Sequence, residues 1–295
     1  MHADELDVTA SLVRTLVARQ FPQWAELPVE DVLPRGTDNR LFRLGDELVA
    51  RLPCRERTVA TLVRERECLP RLAARLPLDV PVPLAVGAPA DGYPWTWSIY
   101  RWLDGSNAAE SPIADLGHCA HELAGFLLAL RRIDPSGGPA AGEGNFSRGA
   151  PLALLDARVR ASLAALADAV DAGALTAAWD EAVAAPEWEG APVWVHGDLD
   201  ARNLLVRNGR ATAVVDWGCV AVGDPACDVA VAWKVLSGDA RDEFRRALSV
   251  DDATWARARG WVVYQAAGAL SYYTDETNAA LVAEARRWLS ELELA

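Results

Sequence analysis

Near the start of the chain, apolar residues recur at helical spacing. Leu12, Val13, Leu16 and Val17 share one stripe and Pro22 stops it, which predicts a helix over 10–21. The period then changes. Residues 40–44 and 47–52 alternate as strands do, and Gly45-Asp46 between them tolerates positive φ, so the stretch reads as a hairpin. Val59, Leu62, Val63 and Leu69 return to helical spacing over 57–69, with Pro70 as a boundary or kink. A Pro-rich passage then leads through an Asp91-Gly92 turn into 95–102, an aromatic and β-branched strand. Residues 103–106 close it and mark a boundary, giving a β-rich unit over 1–103 and a second unit over 104–295.

The second unit reads as mostly helical. Ser111-Pro112 supplies an N-cap followed by Pro at N1, opening a helix with Leu116, Leu123, Phe126, Leu127 and Leu130 inward. Residues 134–150 form a Gly/Pro/Ser-rich loop of a length that is uncommon in compact domains and often functional. Helices are predicted over 151–172 and 175–185, a short β insert over 192–217, and helices beyond it.

Composition narrows the function classes. The length of 295 residues fits about two domains, and 51% apolar with 24% charged residues rules out disorder as the whole answer. A formal charge of −13 repels phosphate backbones and anionic lipid, which argues against nucleic acid and membrane as partners. The first residues lack a basic, then apolar, leader, and no apolar run approaches the ~18 residues of a membrane span. Five scattered cysteines without a C-x-x-C pair fit buried thiols in a reducing compartment, so a cytoplasmic location is expected. Lys234 is the only lysine, beside 28 arginines, so a role that elsewhere needs lysine falls here to arginine.

The β insert carries the chemistry. It reads His196-Gly197-Asp198-Leu199-Asp200-Ala201-Arg202-Asn203, then an apolar run, an Asn208-Gly209 turn, and Ala213-Val214-Val215-Asp216-Trp217-Gly218. Asn-Gly between two apolar runs is a strong hairpin signal, and the hairpin lets Asp198, Asn203 and Asp216 converge at one end. Two carboxylates and an amide oxygen suit a hard cation such as Mg²⁺, which keeps waters and substrate phosphates. His-x-Asp-x-x-x-x-Asn followed by Asp-x-Gly matches the kinase template, in which one Asp accepts the hydroxyl proton and Asn and the second Asp hold metal. Taken singly, each residue also fits a turn or cap, and His196 fits a packed histidine that braces the loop.

A second cluster follows from the same template. Arg51 ends the strand Leu48-Val49-Ala50-Arg51 and is the well-placed cation for nucleotide phosphates, with Val49 on the same face. Glu65 on the next helix would orient it, and Glu67 competes for that role. Gly36-Thr37-Asp38-Asn39 falls between strands where a nucleotide loop belongs, and a plain β-turn explains it equally well.

Together these marks resemble the aminoglycoside phosphotransferase (APH) family over nearly the whole chain. They are Gly36–Asn39, the Val-Ala-Arg strand, residues 97–105, His196–Asn203, Asp216-Trp217-Gly218 and Gly223-Asp224-Pro225 with Asp228. The resemblance implies an α+β, two-lobe protein-kinase-like fold, with a small β-rich N-terminal lobe and a larger α-helical C-terminal lobe holding the β-hairpin. It implies ATP or GTP as co-substrate with Mg²⁺, Asp198 as catalytic base, Asn203 and Asp216 as metal ligands, and Arg51 with Glu65 as the phosphate pair. Gly36 and Asn39 would border the nucleotide, and the segment Ser98, Tyr100 and Arg101 would hydrogen-bond the purine. Asp228 would be structural, holding the helix that follows. Arg51 stands where the family has lysine, and Asp200-Ala201-Arg202 where His-Pro-Gly is common.

Between Gly218 and Gly223 only four residues intervene, too few for the activation loop of a protein kinase, so the acceptor is a hydroxylated small molecule. The family suggests an antibiotic such as an aminoglycoside. A macrolide, a nucleoside antibiotic, a choline- or homoserine-like metabolite, or a nucleotide-binding pseudokinase are the alternatives. Glu143, Arg148, Asp275, Glu276, Glu291 and Glu293 are candidates to line the acceptor pocket, carboxylates suiting ammonium groups. Trp233, Trp255, Trp261 and Tyr264 would suit a flat acceptor or simply fill a core.

Overall fold

The computed structural model describes residues 5–33 and 38–294, so Gly36 lies outside the described residues. The chain divides into two compact units, residues 1–74 with 79–104, and residues 75–78 with 105–295.

In the first unit, helix α1 (Ala10–Gln20) starts where the Thr9 hydroxyl accepts the Leu12 N–H. Strands β1 (Val29–Asp31), β2 (Asn39–Leu44) and β3 (Leu48–Pro53) follow, then helix α2 (Val59–Leu72), β4 (Pro83–Gly87) and β5 (Trp97–Arg101). The five strands make an antiparallel sheet in the order β1-β2-β3-β5-β4. Period-two alternation sorts its faces. Phe42, Leu44, Leu48, Ala50, Leu52, Trp97 and Ile99 form one buried cluster with Val13, Leu16 and Val17 of α1. Arg51 and Tyr100 have the opposite parity and meet Glu65 of α2. Pro70 does not end α2, which runs on to Leu72.

The second unit begins with β6 (Ser106–Asn107) and helix α3 (Leu116–Arg131). The predicted start of α3 at Ser111-Pro112 is not used. The Ala114 N–H is taken by the Gly209 carbonyl at 2.9 Å, and Asp115 caps the helix instead, accepting from His118 N–H. The helix predicted over 151–172 is shorter, a 3-10 turn and then α4 (Asp156–Ala165). Asp171 accepts the Ala174 N–H and so opens α5 (Ala172–Ala184) three residues early.

Strands β7 (Val193–Val195), β8 (Leu204–Arg207), β9 (Arg210–Val214) and β10 (Ala221–Gly223) make up the β insert. The expected two-stranded ribbon is larger than predicted: β6 adds to β8 and β9, while β10 pairs with β7. Helices α6 (Ala226–Val229), α7 (Val231–Lys234), α8 (Asp239–Leu248), α9 (Asp252–Tyr272) and α10 (Asp275–Ser290) complete the unit. Helix α9 is its hub, touching α4, α5, α6 and α10. Gly260 permits the approach of α5, since a Cβ there would stand 2.6 Å from Ala182 Cβ. Trp261 is fully buried and Trp233 nearly so, which makes both core residues. No described helix is long and apolar enough to cross a membrane.

Candidate active site

The loop between β7 and β8 is built on two buried groups. The His196 and Gly197 N–H groups donate to the two carboxylate oxygens of Asp228, at 2.7 and 2.8 Å. Asp228 therefore anchors this loop. At the start of the helix that follows, whose N-cap position is Pro225, Asp224 accepts the Ala226 N–H at 2.9 Å. The His196 ring is fully buried, lies 4.7 Å from the Trp217 ring, and spans the loop. Its Nδ1 accepts the Asp198 N–H at 3.1 Å, which leaves Nε2–H to donate to the Val215 carbonyl at 3.1 Å. Gly197 has φ +85°, and a Cβ there would lie 2.7 Å from the Cys219 carbonyl oxygen.

The hairpin register brings the three oxygen-bearing residues to one place. Leu204 pairs with Val214, and the Val215 N–H donates to the Asn203 carbonyl at 2.9 Å, so Asn203 and Asp216 flank the same end. The Asn203 amide nitrogen donates to the Asp198 carbonyl at 2.8 Å, which leaves its amide oxygen for a cation. Asp216 is exposed and sits at φ +61°, a left-handed conformation that a non-glycine residue adopts at a cost of about 1 kcal/mol or more. An amide oxygen and a carboxylate at one hairpin end, both on fixed backbone, fit a Mg²⁺ ion that draws its other ligands from water and phosphate.

The Asp198 side chain is 29% exposed. Burial alone would raise its pKa. The charges of Arg148, Lys234 and Arg202 outweigh that and hold the carboxyl below its ordinary value, so it is ionised at neutral pH. Arg148 Nη2 stands 3.6 Å from Asp198 Oδ1, and Gln265 Nε2 donates to the same oxygen at 3.4 Å. Gln265 was not foreseen from the sequence; its position on α9, far along the chain, carries no local motif. Burial, reinforced by Asp198 and Asp216, pushes the neighbouring Cys219 thiol up to about 12.

In the first unit Arg51 Nη1 donates to Glu65 Oε2 at 2.7 Å, with Glu65 fully buried. Glu67 is exposed, and this removes it as the partner. The Tyr100 hydroxyl donates to the other Glu65 oxygen at 3.0 Å, making a chain from sheet to helix. Here the reading of Ser98, Tyr100 and Arg101 as a purine-binding segment needs correction. Trp97 to Tyr100 lie in an interior strand paired with β3 on one side and β4 on the other, so their backbone groups are committed to the sheet. Ser98 and Tyr100 are buried, while Arg101 is exposed at the strand end. Asn39 opens β2, opposite Pro53.

The candidate acceptor residues separate. Arg148 adjoins Asp198 and lies over the Tyr264 ring at 5.2 Å. Glu291 and Glu293 pair with Arg241, Asp275 with Arg286, and Glu276 accepts from Thr274. Glu143 is exposed on the 134–150 loop. Trp233 and Trp255 pack against each other with ring centres 4.4 Å apart and planes tilted by 44°.

A family model described as "Phosphotransferase enzyme family" (APH) matches residues 31–261. Among solved structures, the GDP and kanamycin complex of APH(2")-IIia is similar over 95% of this chain and 98% of that chain, at 19% identity and TM-score 0.70. The macrolide 2'-phosphotransferase MphH from Brachybacterium faecium is similar over 95% and 97%, at 23% identity and TM-score 0.61. ADP-bound aminoglycoside phosphotransferase APH(2'')-Ib is similar over 95% and 99%, at 17% identity and TM-score 0.60. These likenesses show the α+β fold. No curated protein matches the sequence.

Proposed function

The chain belongs to the phosphotransferase enzyme family, and from that premise we propose that it transfers the γ-phosphoryl group of ATP or GTP to a hydroxyl of a small molecule, with Mg²⁺. The observation that carries the reading is the set of Asp198, Asn203 and Asp216 on one anchored loop and hairpin, with an ionised and partly exposed Asp198. Solved relatives bound to GDP and to ADP support a purine nucleotide as the donor. The short link from Gly218 to β10 supports a small acceptor, because it leaves no room there for an activation loop of the protein-kinase kind.

In this mechanism Asp198 accepts the proton of the acceptor hydroxyl as its oxygen attacks phosphorus, and its carboxylate is aimed by the His196 and Asn203 bonds that fix the loop. Asn203 and Asp216 would hold Mg²⁺, which when bound neutralises phosphate charge and aligns the leaving group. Arg51, aligned by Glu65, gives the nucleotide phosphates a planar, bidentate cation in place of a lysine ammonium.

The test is Mg²⁺-dependent ADP release measured with water and with a panel of hydroxylated compounds. Asp198→Asn should lower turnover by at least ~10² while nucleotide affinity stays within a few-fold. Unchanged turnover in that variant removes Asp198 from the chemistry.

A further inference from the structure

The 142–150 loop is built to deliver one cation. Phe146 and Ser147 are consecutive non-glycine residues at φ +57° and +60°, each held in a conformation that costs about 1 kcal/mol or more. The loop is pinned by Asn145, which is fully buried. Its Oδ1 accepts the Gly142 N–H at 2.9 Å, and its Nδ2 donates to the Arg148 and Cys219 carbonyls at 2.8 and 3.1 Å. On the far side the Gly149 carbonyl accepts the Asp224 N–H at 2.8 Å. Arg148, fixed between these anchors, has its guanidinium 3.6 Å from Asp198, 5.2 Å from the Tyr264 ring centre and 6.0 Å from that of Trp261. A second guanidinium borders the same ring, since Arg158 donates to the Tyr264 hydroxyl at 3.3 Å. Gln265 brings a neutral amide to the same Asp198 carboxylate.

Of the acidic residues that could receive a polyammonium acceptor, Glu291 and Glu293 pair with Arg241 and Asp275 with Arg286, while Glu143, on the same loop as Arg148, is exposed. We infer that Arg148 sets the charge class of the acceptor: the hydroxyl that reaches Asp198 is flanked by uncharged or anionic groups, and polyammonium sugars are turned away. The inference rests on Asp198 being the base, because only then must the acceptor approach Arg148. Relative to a neutral side chain at position 148, the guanidinium disfavours an ammonium about 6 Å away by about 100-fold at an effective dielectric constant of about 20, and the attraction of the Asp198 carboxylate is common to both forms.

The experiment is calorimetric titration of the Mg²⁺–ADP-loaded protein with kanamycin, a polycationic probe, and with its fully N-acetylated derivative, which keeps the hydroxyls and loses the charges. Wild type, Arg148→Gln and Arg148→Lys are compared. Kanamycin should bind Arg148→Gln at least tenfold more tightly than wild type, with no such gain in Arg148→Lys or for the acetylated probe. Tight kanamycin binding by wild type, an equal affinity in Arg148→Gln, or no binding to any form overturns the inference. If the glutamine variant melts early, the lysine variant decides the matter, because a tenfold gain there contradicts a charge effect. Mg²⁺-dependent hydrolysis by Asp198→Asn is run alongside. An unchanged rate sinks the catalytic reading itself, whereas a ~10²-fold loss without the kanamycin gain sinks only the role of Arg148.

Discussion

Replacing Asp228 with alanine takes away both acceptors of the His196 and Gly197 N–H groups, which lie 2.7 and 2.8 Å from its carboxylate. Asp228 is 1% exposed, so water cannot substitute for it without opening the loop. Each hydrogen bond to a buried carboxylate is worth about 1.5–3 kcal/mol, and the two orphaned donors then stay buried. The loss is therefore about 3–6 kcal/mol, a large share of the roughly 5–15 kcal/mol that holds a domain folded. Asp228→Asn keeps one acceptor and turns an amide NH₂ toward the other donor, so about half that loss is expected. Urea unfolding followed by tryptophan fluorescence measures it, with Trp217 against the His196 ring as a local reporter. If Asp228→Ala unfolds within about 1 kcal/mol of wild type at unchanged slope, the loop is not anchored as described.

Further outcomes follow from the same geometry. Gly197→Ala should abolish turnover and lower the melting temperature, since its Cβ would stand 2.7 Å from a backbone oxygen that cannot yield; wild-type activity in that variant would contradict the left-handed turn. Glu65→Gln breaks an ion pair whose carboxylate is fully buried, at a cost of about 3 kcal/mol in urea unfolding, and should raise the nucleotide KM roughly tenfold. Asp251, the α9 N-cap, is pulled below its ordinary carboxyl value: burial opposes this, and the Thr254 N–H and hydroxyl bonds with the Arg257 charge overcome it. Because its folded value is depressed, its contribution of about 1 kcal/mol is complete above the unfolded carboxyl value and is lost as pH falls through the folded one. The stability gap between wild type and Asp251→Ala should accordingly close under acid, and a gap that persists there refutes the cap. Cys219, pushed up to about 12, should react with a thiol reagent at pH 8 only after unfolding.

What could be read from the sequence divides along a physical line. The placement of Asn203 and Asp216 at one hairpin end, with Asp198 bonded to Asn203, is legible because a tight hairpin turns fixed spacing into fixed distance, and Asn208-Gly209 announces that hairpin. The choice of Glu65 over Glu67 is likewise a matter of period, because Leu62, Glu65 and Leu69 share the buried stripe of α2. Arg148 and Gln265 come to Asp198 from a loop and a helix distant in the chain, and nothing in their neighbouring residues records that packing. The start of α3 was misread because the Gly209 carbonyl takes an N–H that the local pattern assigned to the helix. The 97–101 strand reads equally well as interior or edge, and only pairing with β4 decides it.

Arg202 of the Asp200-Ala201-Arg202 sequence and the chain's single lysine, Lys234, border the same ring, Trp288. Asp200 is fully buried, and a lone carboxylate there would cost several kcal/mol. Arg202 answers it twice, through its N–H at 2.8 Å and its Nη2 at 2.5 Å. Lys234, fully buried on α7, lies with its Nζ 5.0 Å from the Trp288 ring centre, and Arg202 lies 5.9 Å from the same ring. An ammonium is compact where a guanidinium is broad and planar, so Lys234→Arg should destabilise by about 1–3 kcal/mol although it preserves the charge. Lys234 Nζ has no hydrogen-bond partner among the described residues, so Lys234→Met, close in volume, should leave stability within about 1 kcal/mol of wild type or raise it. The same substitution removes one of the cations that depress Asp198, and the acid limb of turnover should move to higher pH. A Lys234→Met protein that loses 3 kcal/mol or more, with its pH profile unmoved, would show that the lysine serves the fold and not the acidity of the base.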